Sequence, residues 1–80
     1  YVYILHTIKT GSYYIGSCEN IENRLQQHNS GAVRATKRYI PWEAVHHEAF
    51  RTRQEAILRE KQLKSWKSRK SLERLFKKHF

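Results

Sequence analysis

Glu60 falls four residues after Ala56 and three before Leu63, on a stripe that those residues and Trp66 mark as inward-facing. A carboxylate there must be paired or bound to a cation, because burying it alone is costly. A surface pair with Lys64 at i, i+4 meets the same need and contributes only about 0.2–0.5 kcal/mol. Arg24 and His28 are also four apart, between Ile21 and Leu25, so they share one helical face. The plainest account of that pair is an amphipathic helix with a snorkelling arginine and one surface or core histidine. Tyr3, Tyr13 and Tyr14 offer hydroxyls within two β-rich runs. Strand tyrosines mostly serve packing, and a phenol becomes a base only where cations lower its pKa from about 10. His46-His47-Glu48 places a histidine and a carboxylate on one strand face, without further ligands at a zinc-like spacing. Cys18 lacks a CxxC or CxxH context and reads as a small packed thiol.

The elements that must position these groups are legible from pattern. Residues 1–6 (YVYILH) and 12–16 (SYYIG) are β-branched and aromatic runs separated by a turn containing Gly11, which predicts a β-hairpin. Period 2 puts Tyr1, Tyr3 and Leu5 on one face and Val2, Ile4 and His6 on the other. Asn20 as N-cap and Gly31 as terminator bound a helix over about 21–30. Residues 31–41 have no clean period and read as a loop. Residues 42–50 (WEAVHHEAF) read as a third strand. Thr52 and Glu55 form a capping box that starts a helix running to about 66. Ser68 caps a last helix with Leu72, Leu75, Phe76 and Phe80 as its apolar stripe. The order β-β-α-β-α-α predicts a small α+β domain.

Eighty residues carry 16 Lys+Arg against 7 Asp+Glu, a net charge of +9. The length allows one domain, with residues 1–66 as its core and 67–80 as a basic helical extension. No apolar run reaches the roughly 18 residues of a membrane span. A single cysteine excludes a disulfide framework within the chain and favours a reducing, cytoplasmic setting. The charge predicts an anionic partner, nucleic acid or an acidic membrane surface. Nine of the basic residues lie in 59–80, so that segment supplies most of the field. An amphipathic helix on an anionic membrane is suggested only by 68–80, whose aromatic face core packing explains more simply.

Tyr3, followed about ten residues later by Tyr14-Ile15-Gly16, resembles the paired signature of the GIY-YIG nuclease superfamily. Of the first half, Val2-Tyr3-Ile4 keeps only the tyrosine; the second half is complete. The likeness continues in order through Arg24 and His28 in NIENRLQQHNSG and through Glu60 in EAILREKQLKSW. It spans about residues 1–66 and is greatest to stand-alone, single-domain members related to the N-terminal domain of the excision-repair nuclease subunit. The resemblance implies a three-stranded antiparallel sheet flanked by helices, and a metal-dependent endonuclease acting on DNA, in repair or recombination. It implies that Glu60 holds one Mg²⁺ or Mn²⁺ and that Tyr3 is the general base or orients the attacking water. Tyr14 would assist by hydrogen bonding, Arg24 would stabilise charge on the scissile phosphate, and His28 would position or deprotonate the tyrosine. Ser17 stands where several relatives carry a lysine, with Arg34 or Lys37 as substitutes for that phosphate contact. The asparagine that some relatives carry in the last helix has no counterpart in 68–80. Lys64, Lys67, Arg69 and Lys70 would add sequence-independent grip on DNA. No base-reading element is recognisable, so targeting would come from DNA shape or another protein. A catalytically weak nucleic-acid-binding module with the same fold is the alternative.

Overall fold

A computed structural model describes residues 1–66 and 69–76 of the chain. The expectations for Lys67, Ser68 and Phe80, and for the rest of the basic extension past residue 76, fall outside those residues. The nearly uninterrupted apolar run at the start forms β1 (Val2–His6), the strand whose residues Val2 to Leu5 are all buried. Such a run fits a central strand covered on both faces. It pairs antiparallel with β2 (Tyr13–Ser17) on one side and β3 (Glu43–Glu48) on the other, giving the sheet order β2-β1-β3. The register sets Tyr3 opposite Gly16 and His47, and an irregularity between Ile4 and Leu5 shifts the pairing with β3.

The helices follow their caps. Asn20 accepts from the Asn23 amide at 3.0 Å and starts α1 (Ile21–Asn29), which stops before Gly31 at φ +84°. The Thr52–Glu55 capping box is formed in both directions and opens α2 (Arg53–Ser65). The last helix, α3, spans Arg69–Phe76. The predicted order β-β-α-β-α-α is the one found, with one addition. The stretch expected to be a plain loop contains a 3₁₀ turn at Lys37–Tyr39.

Alternation along β1 divides the core in two. Val2 and Ile4 pack with Ile15, Ala56, Leu63 and Leu72 under α2 and α3. Tyr3 and Leu5 pack with Trp42, Tyr14, Leu25 and Ile40 beneath α1. Leu75 and Phe76 lie against the first of these clusters, so the apolar stripe of α3 serves the core. No helix among the described residues is long and apolar enough to cross a membrane.

The polar pair on β3 is a brace for α2. Arg59 grips Glu48 through Nε at 2.8 Å and a terminal nitrogen at 3.1 Å, and His46 Nε2 lies 2.9 Å from the same carboxylate. Arg59 also stacks over Trp66, 5.6 Å from its ring centre. Hydrogen bonding from Arg59, and then from His46, holds the Glu48 carboxyl below the usual carboxylate range despite partial burial. A bidentate fork of this kind is the stronger class of ion pair. Glu48→Ala should therefore cost about 1–2 kcal/mol, since both partners remain but are only partly shielded from water. The shift of the urea unfolding midpoint measures it; an unchanged midpoint would show that the brace contributes nothing.

Candidate active site

Tyr3 enters from the central strand, and its hydroxyl reaches across β2 at Gly16. A Cβ on Gly16 would lie 2.4 Å from the Tyr3 hydroxyl oxygen and 2.6 Å from Cζ. Glycine is required there for space, because the phenol occupies the volume any side chain would take.

The Asn20 cap fixes where α1 begins, and so brings Arg24 and His28 to the sheet face carrying Tyr3. The Tyr3 hydroxyl lies 2.9 Å from His28 Nε2, and Arg24 Nε donates to the same oxygen at 3.4 Å. His28 is fully buried. Its Nδ1 lies 2.7 Å from Thr36 Oγ1, whose own hydroxyl is directed at the Val33 carbonyl at 3.4 Å. With that proton engaged, Thr36 receives Nδ1–H, and Nε2 is left as the acceptor facing Tyr3. Trp42 Nε1 donates to the Thr36 carbonyl at 2.9 Å, and Asn29 clasps the Trp42 backbone through both its oxygen and its nitrogen. The loop behind the histidine is thus tied to α1 and to the start of β3.

The electrostatics agree with this proton placement. Burial raises the Tyr3 phenol above its usual value, with Arg24 opposing through a hydrogen bond and its charge. Burial, assisted by the Arg24 charge, lowers His28. At neutral pH the cluster therefore holds a neutral phenol donating to a neutral imidazole, beside a guanidinium. Such a relay can accept a proton at the phenol oxygen while passing the phenol's own proton to Nε2.

Tyr14 joins this face through its ring. It meets His28 edge-on at 5.0 Å between centroids and Trp42 at 6.3 Å. Its hydroxyl makes no hydrogen bond among the described residues.

Glu60 stands apart from these four. It contacts β2 through Ser17, on the α2 side of the strand, and its carboxylate lies 2.6 Å from Lys64 Nζ. The side chain is 20% exposed. Burial works against its charge, yet the hydrogen bonds from Lys64 and Ser17 outweigh it and keep the carboxyl below the usual range. A groove of about 570 Å³ at the C-terminal end of β2 is lined by Ser17 and Cys18, with Phe50, Arg51, Arg53 and Ala56, and none of Tyr3, Tyr14, Arg24, His28 or Glu60 lines it. Cys18 belongs to the Tyr3 side of the core, while Ser17 lies beside Glu60.

The expected DNA-binding residues separate into two groups. Arg34, Lys37 and Lys70 are exposed. Lys64 is engaged by Glu60, and Arg69 stacks over Tyr13 at 4.9 Å and lies 3.4 Å from Glu73, whose carboxylate also accepts from Tyr13 at 2.7 Å. Arg69 is therefore bound into the α3–β2 contact. Thr36, Asn29, Arg51 and Arg53 have parts in this geometry that no periodicity announced. The spacing of Thr36 from His28 lies within an aperiodic loop, and Arg51 and Arg53 look like ordinary charges flanking a helix cap.

The family model for the GIY-YIG catalytic domain matches residues 1–79. A UPF0213 protein of Staphylococcus saprophyticus is 38% identical over 73 residues, covering 90% of this chain and 88% of its own. One from Bacillus pumilus is 37% identical over 71 residues, covering 88% and 71%, and one from Haloquadratum walsbyi is 37% identical over 67 residues, covering 82% and 74%. No solved structure matches the chain. The family model runs through both core faces, from the tyrosine strand to the last helix, and full-length relatives agree with it: the chain belongs to the GIY-YIG catalytic domain family, a nuclease-type domain.

Proposed function

We propose that the chain is a divalent-metal-dependent endonuclease hydrolysing DNA phosphodiester bonds. The observation that carries this reading is the 2.9 Å contact between the Tyr3 hydroxyl and the buried His28, with Arg24 on the same oxygen. A water attacking phosphorus gives its proton to the Tyr3 oxygen, and Tyr3 gives its own to His28 Nε2. Arg24 offsets the charge that grows on the phosphate oxygens. The unpaired Tyr14 hydroxyl is free to hold the water or a phosphate oxygen. The new P–O bond forms as the bond to the leaving oxygen breaks, and that oxygen takes a proton from solvent. In this reading Arg51 and Arg53, which line the groove at the end of β2, would add phosphate contacts for the DNA strand.

Among the described residues no three His, Cys, Asp or Glu side chains cluster to form a metal cage. One ionised, partly exposed carboxylate with a neighbouring hydroxyl suits Mg²⁺ or Mn²⁺, which keep several waters and bind phosphate oxygen. Glu60 would hold that cation, which when bound supplies Lewis-acid stabilisation of the phosphate. EDTA should abolish cleavage and Mg²⁺ or Mn²⁺ should restore it. Glu60→Gln should lower the restored rate by about 10²-fold or more, with DNA affinity kept. Full activity in EDTA would sink the metal requirement.

One observation favours a second reading, a DNA-binding module of low activity. Lys64 already neutralises Glu60. Salt-sensitive DNA binding without cleavage in either metal would select it.

A further inference from the structure

We propose that the tip of the β1–β2 hairpin and the adjoining 3₁₀ turn form a second DNA-contact surface that takes unpaired bases, so that the protein prefers junctions of single- and double-stranded DNA to continuous duplex. The proposal rests on the DNA reading above.

Two of the large hydrophobic side chains left exposed among the described residues, Ile8 at 78% and Tyr39 at 39%, belong to these two segments. The segments are fastened together. The buried Thr7 hydroxyl donates to the Tyr39 carbonyl at 2.6 Å and accepts from the Lys9 amide at 3.2 Å. Lys9 Nζ donates to the Arg38 carbonyl at 3.1 Å. The Gly11 amide bonds the Thr7 carbonyl at 2.8 Å, and the positive φ of Gly11 closes the turn. The surface is thus built before any partner arrives, which lowers the ordering cost of binding.

Its chemistry is that of a base platform. The Tyr39 ring and the branched aliphatic Ile8 present apolar faces on which base faces pack. In continuous duplex those faces are covered by their neighbours; at a junction they are open. Lys9, Lys37 and Arg38 belong to the same two segments, and none forms an ion pair with a carboxylate among the described residues. The acidic residue that follows this segment in the chain, Glu43, lies 3.3 Å from His6. Uncompensated cations interleaved with an aromatic match a single strand and its phosphates. The surface is also coupled to the site by construction. Thr36, which fixes His28, directly precedes the turn that carries Lys37, Arg38 and Tyr39.

The test is fluorescence anisotropy in EDTA, with a blunt duplex and the same duplex bearing a single-stranded arm. Wild type should bind the armed probe about tenfold more tightly. The double variant Ile8→Ser/Tyr39→Ala should bind both probes alike, while Tyr39→Phe keeps the preference. Urea melts confirm that the variants fold. A 2-aminopurine placed in the arm beside the junction should be quenched by wild type, a readout independent of any variant. Equal binding of the two probes by wild type, unchanged 2-aminopurine emission, or a preference that survives in the folded double variant would each overturn the proposal. Failure of wild type to bind either probe at low salt would remove the DNA reading itself.

Discussion

Tyr3→Phe should lower the single-turnover rate of DNA cleavage by about 10²- to 10⁴-fold, the range typical of losing a general acid–base group. The change removes one oxygen and keeps the ring that packs with Leu5 and Trp42, so the fold should survive. DNA affinity should stay as it was, because the proposed mechanism sets the phenol on the attacking water and not on the phosphates that position the strand. His28→Ala should cost a similar factor, and the double variant little more, since the two act on one proton. The pH dependence carries its own signature. His28 is held below its usual value by burial and by Arg24. Its acceptor role therefore persists through neutrality, and the rate should fall only once the pH drops below about 6.5. Stability follows the same sign. The unfolded chain binds the His28 proton more readily than the folded one, so the histidine's contribution is complete above about pH 6.5 and is lost as the pH falls. A rate that falls on raising the pH through this range, or a Tyr3→Phe variant as fast as wild type, would place the base elsewhere.

Gly16→Ala should be nearly as damaging to cleavage, by a different route. The added methyl would sit 2.4 Å from the Tyr3 hydroxyl oxygen and within 3.1 Å of two ring carbons. Tyr3 is anchored in a strand paired on both sides, so the phenol must swing away and give up His28 or β2 must bulge. Overpacking of this kind costs about 1–3 kcal/mol. Urea unfolding should therefore show a lower midpoint, and the folded fraction should have lost most of its cleavage rate. A stable, fully active Gly16→Ala would mean that the phenol does not lie over Gly16 during catalysis.

The features legible in the sequence were those governed by short-range rules. The Asn20 cap and the Thr52–Glu55 box fixed two helix starts to the residue, because capping uses side chains a few positions away. Alternation in β1 sorted Tyr3 and Leu5 from Val2 and Ile4, and the two core faces follow that division. The i, i+4 relation of Arg24 and His28 puts both on one face of α1; that this face meets Tyr3 is what the family resemblance implies, and both side chains lie against the Tyr3 hydroxyl. Contacts made across long separations were not legible. Thr36 reaches His28 from an aperiodic loop, and the 3₁₀ turn after it is too short to impose a period. The role of Gly16 as a space for another strand's phenol exists only once β1 and β2 are paired. Glu60 shows the same limit from the other side. Its stripe predicted a partnered carboxylate, and Lys64 with Ser17 are partners that helical spacing and the β2–α2 contact supply together. Charge counting along the basic C-terminal segment does not show which cations the fold pairs: Lys64 and Arg69 lie against Glu60 and Glu73 while remaining exposed.

The central claim, that the cluster of Tyr3, His28 and Arg24 cuts DNA, is tested most directly on supercoiled plasmid with Mg²⁺ or Mn²⁺. Wild type should convert it to nicked or linear forms, and Tyr3→Phe at the same concentration should leave it supercoiled. Intact plasmid after incubation with folded, DNA-binding wild type, or equal conversion by the two proteins, would contradict the account.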